Sequence, residues 1–194
     1  MQARHRFRTS RPVCFSPDDY AGFWRRLTAE LVDLIAVVLL GVIVTAIVVV
    51  VTPTDAPGEA VLLTGWTALV YGYFVVLKRS PVRTLGYWVT RVHIVDMHGR
   101  PPGLGPLTVR LLFAVAGPLN VILDLMWIPS DRHRQSLRDK VAHTYVVKTR
   151  ARPAGPALLV YRQYSLMGMS LLLQELEPLD AEELITLRRA ARPR

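Results

Sequence analysis

One cysteine occurs in the 194 residues, Cys14, so an internal disulfide and a cysteine metal cluster are both excluded. Aromatic residues are scarce at 8% although hydrophobic residues reach 51%, which makes the apolar content aliphatic. Acidic residues are outnumbered, 15 against 24 basic ones, for a formal net charge of +9. In a soluble domain that balance suits nucleic acid, but no binding motif accompanies the charge, and nucleic acid is not expected as a partner. The first 30 residues lack the apolar core of a cleavable signal and hold Arg4, Arg6, Arg8, Arg11, Arg25 and Arg26 instead. The first membrane segment is therefore expected to act as an uncleaved anchor.

What the sequence has in quantity is uninterrupted aliphatic chain. Residues 34–51 (LIAVVLLGVIVTAIVVVV) carry no charge and 14 Leu, Ile or Val. Their insertion is worth on the order of −6 kcal/mol, against at most about 3 kcal/mol for Asp33 at the edge. Eighteen residues is far beyond strand length, so the β-branched run reads as a membrane helix. Residues 60–77 (AVLLTGWTALVYGYFVVL) form a second uncharged stretch, just long enough to span. The turn between them has Asp55 and Glu59 and no basic residue, whereas both outer flanks are basic. The positive-inside rule then puts the N-terminus and residues 78–110 in the cytoplasm.

A third apolar stretch, 111–128 (LLFAVAGPLNVILDLMWI), behaves differently. Its ten Leu, Ile, Val and Phe contribute about −4.5 kcal/mol, and Asp124 alone offsets about 3. The flank beyond is basic too (Arg132, Arg134, Arg138, Lys140), so a simple span violates the charge rule. A break at Gly117-Pro118 leaves two arms of about 15 Å each, half of a hydrocarbon core of about 30 Å. A re-entrant hairpin returns both flanks to the cytoplasm and is favoured over a span. The β-like stretches Val92–Val95 and Thr144–Val147 flank the segment and pair only if they share a side. Residues 153–194 read as a cytoplasmic helical hairpin, with helices at about 158–176 and from Asp180, lying on the membrane or on a partner.

Three blocks carry a family likeness. Ala21-Gly22-Phe23-Trp24-Arg25-Arg26-Leu27 with Ala29 and Val32-Asp33 is the first. Arg83-Thr84-Leu85-Gly86 with Val92-His93-Ile94-Val95-Asp96 is the second. Arg134-Gln135-Ser136-Leu137-Arg138-Asp139-Lys140-Val141-Ala142-His143-Thr144-Tyr145-Val146-Val147 is the third. Over residues 20–148 they resemble the RDD family of membrane proteins, named for one Arg and two Asp, here matched by Arg26, Asp33 and Asp139. Leu85 stands where the family usually has Pro, and Tyr87 where it usually has Lys. The resemblance implies a multi-helix membrane protein. Transport, including cation–proton exchange, has been proposed for some members.

Arg26, Glu30 and Asp33 share one helical face through spacings of four and three, and Gly41 continues it. That stripe faces the protein interior in one reading, where Asp33 and Asp124 build a proton or cation path. In the other, Arg26 and Asp33 pair with neighbours and set the helix's depth. Asp124 is expected to accept from Arg110 or Arg26, or to coordinate a cation, or simply to hold the bundle together. Asp139 follows Ser136 as a capping box, with a bridge to Arg26 as the alternative role. Gly65 and Gly72 are expected at a close helix contact. His133, Ser136 and Asp139 make no recognisable triad, and the histidines show no ligand spacing, so neither an enzyme, a metal nor a cofactor is expected.

The fold expected is an all-α integral membrane protein with two transmembrane helices, a third broken or re-entrant segment, and a small cytoplasmic β-pair. Its parts are a basic cytoplasmic tail at 1–19, a membrane domain at 20–148 with segments at about 31–51, 60–77 and 111–128, and a helical extension at 149–194. The expected setting is multi-pass in the inner or plasma membrane, among anionic lipids, as a homo-oligomer or with a membrane partner. Two functions fit: a small oligomeric transporter coupled to protons or cations, and a non-transporting scaffold that recruits a cytoplasmic partner.

Overall fold

The computed structural model describes residues 12–51, 58–166 and 169–179. Most of the basic tail, the acidic turn at 52–57 and the helix expected from Asp180 lie outside the described residues.

Helix α1, Phe23–Val51, has 29 residues and measures about 43 Å at 1.5 Å per residue, longer than a hydrocarbon core of about 30 Å. The charged residues of α1, Arg25, Arg26, Glu30 and Asp33, all fall within its first eleven residues, ahead of an uncharged run of 18. The faces of α1 are inverted relative to a water-soluble helix. Arg26, Ala29, Asp33, Ala36, Val37 and Gly41 are buried, while Ile35, Leu39, Val42, Ile43, Ile47 and Val50 point outward. Hydrocarbon is the solvent that makes this arrangement favourable, since aliphatic side chains lose nothing there and charges must find partners inside.

Helix α2, Gly58–Tyr71, continues as a π-helical turn over Gly72–Leu77, making a second apolar helix of 20 residues. It approaches α1 where Trp66 covers Gly41. A Cβ at Gly41 would fall inside the Trp66 ring, and Trp66 Nε1 donates to Thr45 Oγ1 at 3.1 Å. Gly65 also faces α1, 3.4 Å from Val44 for an added Cβ, but Gly72 has open space around it. The close contact is thus made by Gly41 and Gly65, because the π turn that begins at Gly72 rotates the following residues. That rotation buries Tyr73 and Val75.

A short helix not foreseen in the central loop, α3 at Leu85–Thr90, packs on α1 through Gly86. Ala29 O lies so close to Gly86 that a side chain there would collide with backbone. After strand β2, Val92–Asp96, the chain turns around Asp96, whose Oδ1 accepts from the amides of His98 and Arg100 at 2.8 and 2.9 Å.

The third apolar stretch is two helices, α4 at Leu104–Val115 and α5 at Pro118–Trp127, bent by 117°. It starts at residue 104 rather than 111 because Leu104, Leu107 and Val109 extend the apolar pattern through Arg110, which turns inward and is buried. The pair counts as a broken span or a re-entrant loop by length and composition. After it, α6 at Leu137–Val141 leads into β3 at Thr144–Lys148. Strands β2 and β3 pair antiparallel over their full length, Val92 opposite Lys148 and Asp96 opposite Thr144. The two flanks of the bent segment are therefore in direct contact.

An all-α description is too narrow. Strand β1, Val13–Phe15, occupies what was expected to be free tail and pairs with β4, Pro153–Leu166, which pairs in turn with β5, Met169–Pro178. The expected helix at 158–176 is thus a β-hairpin. Leu and Met favour helix locally, but ten cross-strand pairs from Ala157–Pro178 to Leu166–Met169 override that weak preference. Pro153 and Pro156 stand opposite β1 only, outside the β4–β5 ladder, where a missing N–H is tolerated. Ala21 N donates to Val146 O and Val13 N to Met97 O, both at 2.9 Å, tying the sheets together. Cys14, Phe15, Tyr20, Val95, Tyr145, Val147, Ala157 and Leu176 form the shared apolar core.

Candidate functional site

The inner faces of α1, the π turn, α4, α5 and α6 meet in a buried ion cluster at one end of the two apolar helices. The capping box comes first. Ser136 caps α6, accepting from Asp139 N at 3.4 Å while Asp139 Oδ2 accepts from Ser136 N at 3.2 Å. That geometry fixes the Asp139 carboxylate, which is fully buried. Arg26 and Arg110 then each place Nη1 against one of its oxygens. Arg26 is held in place by two carbonyls, with Nε donating to Ala21 O at 3.0 Å and Nη2 to Arg134 O at 2.6 Å. Arg110 also donates to Thr144 Oγ1 at 2.8 Å. Asp139 at once completes the capping box of α6 and joins α1, α4 and α6.

Asp33, also fully buried, takes a different set of partners. Tyr73 Oη and Thr84 Oγ1 donate to it at 2.9 Å and Gly86 N at 2.7 Å, and Lys78 Nζ stands 3.7 Å away. The π turn aims Tyr73 at this carboxylate, and the absent side chain at Gly86 lets the amide reach it. Asp124 accepts from the backbone N of Arg138 at 2.8 Å, and its Oδ2 lies 2.8 Å from Arg138 Nε. The expected partners Arg110 and Arg26 belong to Asp139 instead, because the bend at Gly117 brings α5 onto the start of α6. Glu30 joins the parts. Its Oε1 lies 2.6 Å from Arg138 Nη2 and 3.8 Å from Lys78 Nζ.

Four carboxylates (Glu30, Asp33, Asp124, Asp139) thus meet four cations (Arg26, Lys78, Arg110, Arg138). A buried ion without a partner costs several kcal/mol, so equal numbers are what the location demands. Burial opposes the charge on Arg138, but Glu30 and Asp124 outweigh it and hold its pKa above the usual arginine range. Sequence reasoning found the carboxylates, Arg26 and Arg110, the last set against Asp124 rather than Asp139, but missed Lys78 and Arg138 as counterions. The balancing of charge was the available signal, since each buried acid needs a base.

A second nest lies in the β platform and was not foreseen. Lys140 is buried, 2.5 Å from Asp131 and 2.7 Å from Glu175, with its ammonium over the Tyr164 ring. Tyr164 Oη donates to Glu175. Burial disfavours the charge of Lys140, yet its bonds to Asp131 and Glu175 raise its pKa. Burial likewise works against the charge of Glu175, yet Lys140 and Tyr164 hold it below the usual carboxylate range. Burial lowers the pKa of His133 and pushes that of Tyr20 up to about 12. Among the described residues no cluster of His, Cys, Asp or Glu is arranged to hold a metal.

No curated protein and no solved structure matches the chain. The family model described as the RDD family matches residues 20–143, which takes in Arg26, Asp33 and Asp139 and stops before β3 and the β4–β5 hairpin. More than half of the chain is covered, and the protein belongs to the RDD family of membrane proteins.

Proposed function

We propose that this protein is a multi-pass cell-membrane scaffold, with its N-terminus and β platform in the cytoplasm, that displays the β4–β5 hairpin to a cytoplasmic partner. One observation carries the reading: every carboxylate of the membrane cluster already has a cation. Asp33 and Asp124, the residues a proton or cation path would use, are already engaged, Asp33 by Tyr73, Thr84, Gly86 and Lys78 and Asp124 by the backbone N and the guanidinium of Arg138. A coupling ion would have to displace a buried cation at a cost of several kcal/mol. Two further features support the reading. Lys140 clamps the hairpin to the closing block, and Tyr161 and Leu172 on the hairpin are exposed, at 59% and 66%. The sidedness follows from the basic residues (Arg25, Lys78, Arg79, Arg91, Arg100) gathered at the end of α1 and α2 opposite the acidic turn. With β2 paired to β3 on that side, the bent α4–α5 pair re-enters rather than spans.

A second reading, an oligomeric cation–proton exchanger, is favoured by Glu30. It is the one carboxylate of the cluster whose side chain keeps 20% exposure, and it faces a cavity between the helices. Reconstituted protein in vesicles with an imposed pH gradient separates the two. The scaffold shows no proton release on addition of Na+, K+ or Li+. Ion-driven release that Glu30→Gln abolishes would establish the exchanger and remove the scaffold reading.

A further inference from the structure

Between α1, the π turn of α2, α4 and α5 lies a cavity of about 300 Å3. Its wall is apolar, made by Leu34, Val70, Phe74, Leu111, Val115 and Val121. Its floor is charged, made by Glu30, Lys78, Arg110 and Arg138. Three cations and one carboxylate therefore line the floor, while Asp33, Asp124 and Asp139 stand behind the cations they neutralise. The polarity runs in the same sense as the bilayer, with the charged end at the basic termini of the two apolar helices and the apolar end beside their interior turns.

One of these cations is paired only at long range. Arg110 reaches Asp139 and Thr144, and Arg138 reaches Glu30 and Asp124. The Lys78 side chain is only 6% exposed, yet among the described residues it makes no hydrogen bond. Glu30 and Asp33 stand 3.8 and 3.7 Å from Nζ, and the rings of Phe74 and Tyr87 lie 4.9 and 4.6 Å from it. An ammonium carries three donors, and carboxylates at 3.7 and 3.8 Å leave them without a close acceptor on the cavity side. An anionic oxygen entering the cavity from the apolar side supplies what is missing. The volume is at the small end of ligand sites, which run from about 300 to 1,000 Å3, and suits one acyl segment rather than two.

We infer that this cavity binds an anionic amphiphile, with its phosphate or carboxylate at Lys78 and one acyl chain along α2 and α4. The site does not depend on whether the protein transports. Two sources offer the head-group chemistry, a phospholipid from the bilayer and free phosphate from water, and the apolar wall favours the lipid.

The test is native mass spectrometry on the full chain in neutral detergent, offering dioleoylphosphatidylglycerol or dioleoylphosphatidylcholine, with inorganic phosphate as competitor. Wild type should retain the anionic lipid about tenfold better, as one charge-assisted hydrogen bond provides. Lys78→Met should abolish that preference and Lys78→Arg should keep it. Leu111→Trp, which fills the wall without changing charge, should lower retention of both lipids. Arg150→Met, at an exposed basic position, should change nothing. A preference that survives Lys78→Met, or retention that survives Leu111→Trp in monodisperse protein, would overturn the proposal; so would Arg150→Met removing the preference. Should Lys78→Met fail to fold, Leu111→Trp decides alone. Displacement of the lipid by phosphate with Leu111→Trp silent would assign a bare anion site and overturn the amphiphile.

Discussion

The membrane cluster and the β platform solve opposite versions of one problem. In α1 the charged and small residues are inside and the aliphatic ones outside. In the platform the aliphatic and aromatic residues are inside, and a buried lysine with its two carboxylates stands among the exceptions. Both use matched charge where burial is complete, but for different ends. Around Asp139 the ions join three helices that have no hydrophobic drive to associate in lipid, so polar contacts carry much of the specificity. Around Lys140 an apolar core already holds the sheets, and the ions fasten one hairpin to it. Losing a charge should therefore cost the first region its helix arrangement and the second only its hairpin.

The sharpest way to break that contrast is at Asp139. Asp139→Ala strands Arg26 and Arg110 together and removes a helix cap, so a loss of about 3–5 kcal/mol is expected, read as a lowered Tm in detergent. Exchanging the charges of Arg26 and Asp139 should fail to rescue, because the new arginine would face Arg110; full recovery of Tm would show that Arg110 is not a partner. Lys140→Met comes next. It leaves Asp131 and Glu175 unpaired and should cost about 2–4 kcal/mol, confined to the platform. Limited proteolysis should then cut within β4–β5 while α1 and α2 stay protected, and general cleavage would contradict the division.

The same nest gives a pH signature. Glu175 has a lowered folded pKa, so its contribution is present above the unfolded value of about 4.3 and fades as pH falls through the folded one. Lys140 has a raised folded pKa, so its contribution is full below the unfolded value of about 10.4 and fades as pH rises through the folded one. Hairpin protection from protease should form a plateau from about pH 5 to 10 and fall on both sides; a profile centred on neutral pH would point to histidine instead. A smaller effect is expected at the helix contacts. Gly86→Ala pushes a methyl into Ala29 O and should cost about 1–3 kcal/mol, whereas Gly72→Ala, with open space, should be near neutral. Smallest of all is Arg162→Ala. Arg162 is half-exposed in its pairs with Glu175 and Glu177 at 3.3 Å, and Glu175 keeps Lys140, so about 0–1 kcal/mol is at stake and chemical denaturation should hardly move.

The contrast also explains which parts could be read without coordinates. Residues 34–51 and 60–77 announce themselves because hydrocarbon selects for length and lack of charge, properties visible in a string of letters. The break at Gly117-Pro118 and the pairing of 92–95 with 144–147 were legible for similar reasons: backbone chemistry in one case, alternation next to a turn in the other. The stripe Arg26–Glu30–Asp33 was legible from spacing, and the capping box at Ser136 from its pattern. The β4–β5 hairpin was not, since Leu158, Leu159, Leu172 and Leu173 have helix-forming side chains and their strand state is set by partners distant in sequence. The allocation of counterions was hidden likewise. Which arginine reaches Asp124 depends on how α5 folds back at Gly117, a tertiary fact that no local pattern encodes.

The account rests on the α4–α5 segment returning to the side it left. In a Cys14→Ser background, single substitutions Arg100→Cys and Arg132→Cys place thiols before and after that segment. A membrane-impermeant maleimide applied to right-side-out and inverted vesicles should label both only in the inverted ones. Labelling of Arg100→Cys from one side and Arg132→Cys from the other would mean that the segment spans, and would contradict the paired β2–β3 platform and the ion cluster built beneath it.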